Sequence, residues 1–403
     1  MKNKYLFDLL SGFPFDSNGF NSDGNGTPLI RIRDITAGHT STFYEGAYDP
    51  RYVVVKDDLL IGMDGDFGLC WWQSENALLN QRCCKVMTSD SELKRYLYYA
   101  LQPQLKAINE IAYSTTVKHL STSDILNSET CVPPKDVMRW IVQFLDIKCS
   151  AIDSLIASKQ SLLEKLEEYR KAVITKAVTK GIRPNVAMSK SSVGWLGDIP
   201  YNWNTNKISR LAATVSGSTP NTETKAYYEN GQHPWVRTTD LNLGKLSDVP
   251  IKITDKALID TTCKYVPKGT VLVAMYGGAG TIGKHSLLMF PATLNQAVCG
   301  IIPNKDLISE YLFYLAKAYS DLWISDAEGT RKDPNINKDV IRNWWIPVPP
   351  LSEQREIIQF IENIDNKINI TAENLARSIA KLSEYRQSLI TAAVTGKIDI
   401  ADI

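Results

Sequence analysis

The segment VPPKDVMRWIVQFLDIKCSAIDSLIASKQSLLEKLEEYRKAVITKAVTKGI, residues 132–182, is repeated without a gap as VPPLSEQREIIQFIENIDNKINITAENLARSIAKLSEYRQSLITAAVTGKI, residues 348–398. Of the 51 aligned positions 19 are identical, including the Val-Pro-Pro at the start and a later Glu-Tyr-Arg. A repeat of this length organises the whole chain. It predicts two copies of one unit, each a globular segment followed by a long helix.

Each repeated segment carries apolar residues at alternating steps of three and four. Such a narrow stripe over several heptads is typical of coiled-coil helices, and each copy is the natural partner of the other. About 40 helical residues would form a rod of roughly 60 Å, a spacer between two globular domains. A helix pair inside the core of an ordinary enzyme is the alternative. The predicted seam residues are Ile141, Leu145, Ile152, Leu155, Leu162, Leu166, Tyr169 and Val173 in the first helix and Ile357, Ile361, Ile364, Ile368, Leu375, Leu382, Tyr385 and Leu389 in the second.

The globular segments repeat more weakly than the helices. PLIRIRDI at residues 28–35 resembles PWVRTTDL at residues 234–241, and Leu-Asn-Gln occurs at residues 79–81 and 294–296. Matched landmarks with a diverged surface between them are what one fold that reads two different targets would show. The predicted boundaries are 1–131 and 184–347 for the globular domains, 132–183 for the first helix, and 348–403 for the second helix with the C-terminal tail.

Composition indicates an ordinary protein of the cytoplasm with two hydrophobic cores. The 403 residues are 44% hydrophobic, and no apolar run reaches the roughly 18 residues that a membrane span needs. The N-terminus shows no signal-peptide pattern. The seven cysteines lack metal or redox spacing, which predicts buried reduced thiols. Because the net charge is only +1, a nucleic-acid surface would have to come from locally sorted basic residues or from a partner.

No motif predicts a catalytic, cofactor or metal site in this chain. Gly278, Gly280 and Gly283 satisfy the spacing GxGxxG, but a dinucleotide-binding fold needs a helix to begin inside that motif. The segment KHSLLMFP follows at residues 284–291, which predicts a short strand ended by proline. We therefore interpret these glycines as a tight strand connection. The four histidines show no ligand spacing, which argues against a metal site.

Several separated motifs, in a fixed order, resemble those of the specificity subunits of type I restriction-modification enzymes. They are the two Val-Pro-Pro junctions, the Glu-Tyr-Arg followed by ITKAVTKG or ITAAVTGKI, the lead-in GWLGDIPYNW at residues 194–203, and the PLIRIRDI and Leu-Asn-Gln landmarks. The resemblance covers almost the whole chain. It implies an α/β (α+β) fold of two target-recognition domains, separated by two long antiparallel coiled-coil helices, with pseudo-two-fold symmetry from the internal duplication.

The resemblance also implies a function and a set of partners. Each domain would read one half of a bipartite site in double-stranded DNA, while the helices set the spacer and dock two methyltransferase subunits. The chain itself would be non-catalytic and without a cofactor. S-adenosylmethionine would belong to the methyltransferase subunits, and ATP and Mg²⁺ to the restriction and translocation subunits. A methylation-only or silent, phase-variable locus and a coiled-coil scaffold without DNA affinity stay open as alternatives.

Basic residues at matched places in the two copies are the candidates for DNA contacts, since lysine and arginine bind phosphates and guanine edges. The Asn-Gln pairs at residues 80–81 and 295–296 could read adenine. Their presence in both copies predicts a structural role instead, because a residue that reads sequence should differ between domains with different targets. The candidates are Arg31, Arg33 and Lys118 in the first domain and Arg237, Lys284, Arg331 and Lys332 in the second.

The first copy departs from the family pattern at its beginning. It starts almost directly at Lys4, without a counterpart of the lead-in at residues 194–203. We therefore expect the N-terminal edge strand of the first domain to be absent, or to be supplied by the C-terminal tail, residues 398–403.

Overall fold

The computed structural model describes residues 1–111, 119–277, 280–328 and 335–398. The chain divides into two compact units, each of which combines a globular part with segments of both long helices. Unit 1 comprises Met1–Gln160 with Ala376–Ile403, and unit 2 comprises Ser161–Leu375. The internal repeat of the sequence is therefore divided between two units that share the helices.

Unit 1 contains two sheets. Its strands are β1 (Asp8–Ser11), β2 (Phe20–Asn21), β3 (Thr27–Ile30), β4 (Phe43–Tyr44), β5 (Val53–Val54), β6 (Leu59–Gly62), β7 (Leu69–Trp71), β8 (Ala77–Leu79) and β9 (Cys83–Met87). Its helices are α1 (Asp34–Ala37), α2 (Ser91–Ile111), α3 (Thr122–Asn127) and the first part of α4 (Lys135–Lys180). The strand orders are β1-β9-β6-β7 and β2-β4-β3-β8-β5.

Unit 2 has a larger globular part with more strands. The strands are β10 (Met188–Lys190), β11 (Asp198–Pro200), β12 (Asn204–Lys207), β13 (Ala212–Ser216), β14 (His233–Val236), β15 (Lys245–Leu246), β16 (Lys252–Ile253), β17 (Val271–Ala274), β18 (His285–Leu288), β19 (Thr293–Leu294), β20 (Val298–Pro303) and β21 (Trp345–Val348). The helices are α5 (Ile208–Leu211), α6 (Asp255–Asp260), α7 (Ser309–Glu328), α8 (Lys338–Asn343) and α9 (Leu351–Val394), whose last part belongs to unit 1. The two main sheets have the orders β13-β20-β17-β18-β15 and β16-β14-β19.

Two features of the first globular part recur in the second. β3 pairs in parallel with β8, as β14 does with β19. The antiparallel hairpin β6–β7 corresponds to the hairpin β17–β18. The GxGxxG motif lies between β17 and β18, although residues 278 and 279 are outside the described residues. The glycines therefore connect two antiparallel strands, as predicted, and not a strand to the helix of a nucleotide-binding fold.

The core of each unit includes segments of both long helices. In unit 1, Leu145 of α4 and Ile390 of α9 belong to the same buried cluster as residues of β6 and α2. In unit 2, Val178 of α4 and Ile357 of α9 belong to the cluster of β17 and α7. Fully burying one such side chain contributes about 1.5–3 kcal/mol. Each globular part therefore depends on the ends of both helices for its stability.

A buried tyrosine connects each globular part to the helices in the same way. The Tyr96 hydroxyl lies 2.9 Å from the Cys131 carbonyl oxygen and 3.3 Å from that of Val394, at the end of α9. The Tyr311 hydroxyl lies 3.3 Å from the Pro347 carbonyl oxygen and 3.0 Å from the carbonyl at position 178, near the end of α4. The first copy thus contacts the end of the second helix, and the second copy contacts the end of the first.

The two helices run antiparallel in unit 2. Arg170 of α4 donates to Asn369 Oδ1 at 2.7 Å and to Asp365 Oδ1 at 3.3 Å. Further along the chain, Arg183 donates to Glu356 Oε2 at 2.8 Å, close to the start of α9. Because positions rise along one helix as they fall along the other, the pairing is antiparallel. In unit 1, the arginine that matches Arg170 makes the corresponding contact.

That matching residue is Arg386, the arginine of the second Glu-Tyr-Arg. Its Nε donates to Asp153 Oδ1 at 2.9 Å and its Nη2 to Asp153 Oδ2 at 3.2 Å. Asp153 of α4 occupies the repeat position of Asn369 in α9. The repeated arginine is therefore used twice, once in each unit, to bind a polar residue of the facing helix.

The predicted helix–helix seam is partly wrong. Leu155, Leu162, Tyr169 and Tyr385 are exposed, with 52%, 45%, 53% and 59% of their surface accessible. Arg170 and Arg386, each the next residue after a predicted seam tyrosine, occupy the seam. Hydropathy favoured tyrosine over the neighbouring arginine, but an arginine can bury its aliphatic stem while its head pairs with a carboxylate. The other predicted positions are buried (Ile141, Leu145, Ile152, Ile357, Ile361, Ile368) or half-buried (Leu166, Val173, Ile364, Leu375, Leu382, Leu389).

The edge of the first globular part is shorter than that of the second. β12 pairs with β21 over four residues, whereas the matching place in the described part of unit 1 holds the single bridge Lys2–Glu129. Ile398 packs against the core of unit 1. Residues 399–403 of the tail lie outside the described residues, so the prediction that the tail supplies a strand stays a prediction.

None of the helices within the described ranges is long and apolar enough to cross a membrane. Six of the seven cysteines are buried free thiols, as predicted, and Cys131 is exposed. Burial raises the pKa of the Cys83, Cys84 and Cys299 thiols to about 12, so these three stay protonated at neutral pH.

Candidate nucleic-acid interface

The carboxyl ends of the two parallel strand pairs bring matched landmarks together. Arg31 follows β3 and Asn80 follows β8, and the Asn80 N–H donates to the carbonyl of the last β3 residue at 3.3 Å. Arg237 follows β14 and Asn295 follows β19, with the corresponding hydrogen bond at 2.8 Å. Loops at the carboxyl ends of neighbouring parallel strands meet at one edge, where ligands commonly bind in open α/β sheets. Each domain therefore has two neighbouring turns at this edge. We call them the arginine turn, at Arg31 or Arg237, and the Asn-Gln turn, at residues 80–81 or 295–296.

A glycine packs closely against each Asn-Gln turn. A Cβ atom added to Gly12 would overlap the carbonyl oxygen of Asn80, and one added to Gly217 would overlap that of Leu294. Phe13 N–H donates to the carbonyl at position 79 at 2.9 Å, which holds the two segments together in unit 1. Ser11-Gly12 and Ser216-Gly217, which match each other in the two copies, and the Leu-Asn-Gln landmarks are therefore two sides of one contact, and this contact fixes the backbone of the turn.

The asparagine of the second turn has a structural role. Asn295 Nδ2 donates to Thr219 Oγ1 at 3.0 Å, and Asn295 Oδ1 accepts from the Ala297 N–H at 2.7 Å. These contacts support the prediction drawn from its presence in both copies. Gln81 and Gln296, the next residues, are exposed.

The arginines of the first domain keep their charge accessible. The Arg31 N–H donates to Asp34 Oδ2 at 2.8 Å, while its guanidinium lies 5.8 Å from the ring centroid of Phe20. Arg33 Nη2 donates to Thr42 Oγ1 at 2.9 Å, and 61% of its side chain is exposed. Arg31 is half-buried, and Arg33 Nε also lies 3.7 Å from Asp34 Oδ1, so the predicted DNA contacts of these two arginines stay predictions.

Arg237 differs from its counterpart Arg31. Its N–H donates to Asp240 Oδ2 at 2.8 Å, and its guanidinium also binds both carboxylate oxygens, at 3.3 and 3.1 Å. Only 7% of the Asp240 side chain is exposed, so the arginine compensates a buried charge. The predicted DNA contact of Arg237 stays a prediction, with the carboxylate as a competitor for the guanidinium.

Lys284 is the last residue of the connection between β17 and β18, and His285 is the first residue of β18; the two side chains have different surroundings. Lys284 is half-buried, and no partner of its ammonium is found among the residues that the structure describes. His285 is 2% exposed, and burial lowers its pKa to about 4. His285 is therefore neutral at pH 7 and does not belong to a basic surface cluster. Its Nδ1 lies 3.0 Å from the Gly283 carbonyl oxygen.

The segments that precede the Val-Pro-Pro motifs return to the hairpins. The Leu120 N–H donates to the Met63 carbonyl at 2.8 Å, and the Ile336 N–H donates to the Met275 carbonyl at 2.9 Å. The predicted candidates Lys118, Arg331 and Lys332 belong to these segments in sequence but lie outside the described residues.

Sequence reasoning missed two kinds of residue. The repeated Arg170 and Arg386 could have been found from the Glu-Tyr-Arg repeat, had their pairing potential been weighed against the neighbouring tyrosines. The turn at Leu243, next to the Arg237 turn, has φ +60°, a left-handed conformation that leucine rarely adopts. The sequence feature that could have pointed to Leu243 is a difference between the two copies, because the residue aligned with it is Ala37.

No group of histidine, cysteine, aspartate and glutamate residues with the geometry of a metal site occurs in the described parts of the chain. The residues of the candidate interface offer hydrogen-bond donors, hydrogen-bond acceptors and apolar groups. Arginine and lysine can donate to phosphate oxygens, exposed glutamine can donate and accept, and the loops of the two domains differ in side chains.

Comparison with known proteins agrees with this geometry. The family model described as "Type I restriction modification DNA specificity domain" matches residues 1–168 and again residues 200–379. The EcoBI specificity subunit of Escherichia coli is 30% identical over 408 residues, which cover 97% of this chain and 84% of that protein. The MjaVIII specificity subunit of Methanocaldococcus jannaschii is 23% identical, with 98% of this chain and 88% of that protein covered.

A solved structure shares the fold. It comes from work on complex assembly and conformational transition of the type I restriction-modification system, and its TM-score is 0.66 at 16% identity. The match covers 96% of this chain and 97% of the other. The likeness at this identity shows a shared fold.

Proposed function

Because the chain belongs to the family of type I restriction-modification DNA specificity subunits, we propose that its two target-recognition domains each read one half of a bipartite site in double-stranded DNA. Specificity subunits are the non-catalytic recognition subunits of restriction-modification complexes. The observation that carries the proposal is the matched strand edge, with an arginine turn and an Asn-Gln turn in both domains. One scaffold with two different surfaces fits two different half-sites.

The chemistry of this strand edge supports two kinds of DNA contact, one made by cations to phosphates and one made by other side chains to bases. Cations such as the exposed Arg33 and the half-buried Arg31 and Lys284 can bind phosphate oxygens, which fixes the register of the protein on DNA without reading sequence. Side chains that differ between the domains are suited to the major groove, where each base pair presents a distinct pattern of donors, acceptors and methyl groups. Affinity should then fall steeply as the salt concentration rises.

The proposed partners are two methyltransferase subunits and the restriction and translocation subunits of the same system. In this proposal the long helices set the gap between the half-sites and dock the methyltransferase subunits. S-adenosylmethionine would bind to the methyltransferase subunits, and ATP and Mg²⁺ to the restriction subunits. The absence of a recognisable catalytic motif in the sequence is in keeping with this division.

The proposed function predicts a new methylation pattern. The chain should be co-expressed with the methyltransferase subunit encoded beside it, and adenine methylation should be mapped across the host genome by single-molecule sequencing. We expect a split motif of two short half-sites with a fixed unspecified gap. A matched culture with the methyltransferase subunit alone should lack this motif.

The alternatives give different results in the same experiment. A soluble complex without new methylation would indicate a silent specificity subunit. Failure to bind the methyltransferase subunit would favour a coiled-coil scaffold and contradict the proposal. A methylation-only system would give the motif but would not restrict incoming phage DNA when all neighbouring subunits are expressed.

A further inference from the structure

The side chain of Leu243 projects from the second domain in an unfavourable backbone conformation. Its φ is +60°, in the left-handed region, where a Cβ atom approaches the following carbonyl oxygen. The side chain is 47% exposed, so it does not gain the full burial that would compensate this conformation. A glycine would adopt the same backbone without the steric cost.

The turn that carries Leu243 is held by its neighbours. The Asn242 N–H donates to Ser286 Oγ at 3.0 Å, and the Gly244 N–H donates to Asn242 Oδ1 at 3.0 Å. The Leu287 N–H donates to the Gly244 carbonyl at 2.9 Å. These bonds fix the backbone on both sides of position 243 to β18. The leucine side chain takes part in none of them, so the hydrogen bonds of the turn do not depend on it.

The corresponding turn of the first domain lacks this side chain. Aligning Arg31 with Arg237 places Ala37 opposite Leu243 and Gly38 opposite Gly244. In the first copy the left-handed residue is Gly38, with φ +71°. The second domain therefore has a large apolar residue where the first has a small one, in the segment that follows the arginine turn and is bonded to β18. A side chain that reads sequence is expected to differ in this way.

We propose that Leu243 is a specificity-determining residue of the second domain, and that it contacts the C5 methyl group of a thymine in the major groove. The inference rests on the proposed function and names one contact within it. The thymine methyl is the apolar group that the major-groove edges of the bases present, whereas their other groups are hydrogen-bond donors and acceptors. A partly exposed leucine, six residues after Arg237 and in a turn that is bonded to β18, matches that methyl in chemistry.

The first test is the methylated motif of the Leu243→Gly variant in the co-expressed complex. Glycine removes the side chain and relieves the left-handed strain, so the thermal midpoint should be unchanged or higher. We expect one position of one half-site to change from thymine to a mixture of bases. The other half-site and the gap should stay the same.

Ile259→Ala is the matched control. Ile259 is 82% exposed on α6, a helix whose Asp255 binds His233 at the opposite end of β14 from Arg237. Its substitution should leave every position of the motif unchanged. A motif that relaxes equally in both variants would overturn the proposal, because the effect would then not be specific to the Leu243 turn.

The second test removes only the methyl group from DNA. Binding of the complex is measured on a duplex with the wild-type motif and on one in which that thymine is replaced by deoxyuridine. The wild-type complex should bind the deoxyuridine duplex about fourfold more weakly, the factor expected for one buried methyl group. The Leu243→Gly complex should bind both duplexes equally well.

Three outcomes would overturn the role of Leu243 and leave the proposed function intact. They are a split motif that is identical in wild type and Leu243→Gly, a relaxed position that is not thymine, and equal loss on deoxyuridine in both complexes. If the wild-type complex binds and methylates without any split motif, the proposed function fails, and the role of Leu243 fails with it.

Discussion

Gly12 and Gly217 show how single residues fix the strand edges on which recognition depends. Each lies so close to the Asn-Gln turn of its own domain that a Cβ atom would overlap a backbone carbonyl. The obstacle is backbone, which cannot move aside as a flexible side chain can. The edges of the two domains therefore share a rigid backbone, while exposed side chains on them, such as Gln81 and Gln296, do not take part in this close contact.

Gly217→Ala should destabilise the protein by about 1–3 kcal/mol, because the added methyl group forces a shift of the turn. Gly194→Ala is the control, since no atom lies within 4 Å of an added Cβ there. The control should stay within about 0.5 kcal/mol of wild type. The comparison is made by thermal unfolding of the full chain. Equal midpoints for the two variants would contradict the close approach.

At the scale of elements, an arginine and not a tyrosine pairs the long helices. Arg170 has 12% of its side chain exposed and Asp365 has 19%, so the contact in unit 2 is largely shielded from water. A shielded ion pair is costly to break, because removing one partner leaves the other charge without compensation. The matching Arg386–Asp153 pair is more exposed, with 23% and 52%, and should contribute less.

Arg170→Met should therefore destabilise unit 2 by about 2 kcal/mol, since it leaves Asp365 unpaired and removes the hydrogen bond to Asn369. Tyr169→Ala, at the adjacent and exposed position, should change stability by at most about 0.5 kcal/mol. The loss of stability in each variant is measured by thermal or urea unfolding. Comparing the two losses distinguishes the observed seam from the predicted one. A larger loss for Tyr169→Ala than for Arg170→Met would support the predicted seam.

At the scale of the whole molecule, the duplicated contacts of Tyr96 and Tyr311 relate the two copies. Each tyrosine reaches the carbonyl group near the end of the helix that follows the other copy. Both globular parts therefore need both helices, and the helices are common to both recognition domains. In the proposed function, helix length sets the gap of the DNA site, while the loops of each domain set the half-sites.

Insertion of one heptad at matched places in both helices, after residues 159 and 375, tests this separation of roles. Seven residues preserve the three-four spacing of the seam and add roughly 10 Å to each helix. The methylated motif should keep both half-sites and gain a gap longer by at most about three base pairs, at about 3.4 Å per pair. The same insertion in one helix alone should impair assembly. An unchanged gap in the doubly extended protein would contradict the role of the helices.

The sequence by itself determined the duplication, the positions of the two long helices, the hairpin nature of the GxGxxG motif and the family. These four features follow from periodicity and from motifs that extend over many residues. A wrong interpretation of one position therefore changes none of them. It also predicted a structural role for the Asn-Gln pairs, because a shared residue cannot distinguish two targets, and the hydrogen bonds of Asn295 support this prediction for that residue.

Only the tertiary structure decided which neighbours occupy the seam and which cations remain accessible. Tyr169 and Arg170 are equally placed on a helix by spacing, and the choice between them depends on Asp365 and Asn369 of the other helix. Likewise, Arg31 and Arg237 match in sequence, yet the Arg237 side chain binds Asp240 while Arg31 uses only its backbone. Such choices depend on partners distant in sequence or on side-chain geometry, which no local pattern encodes.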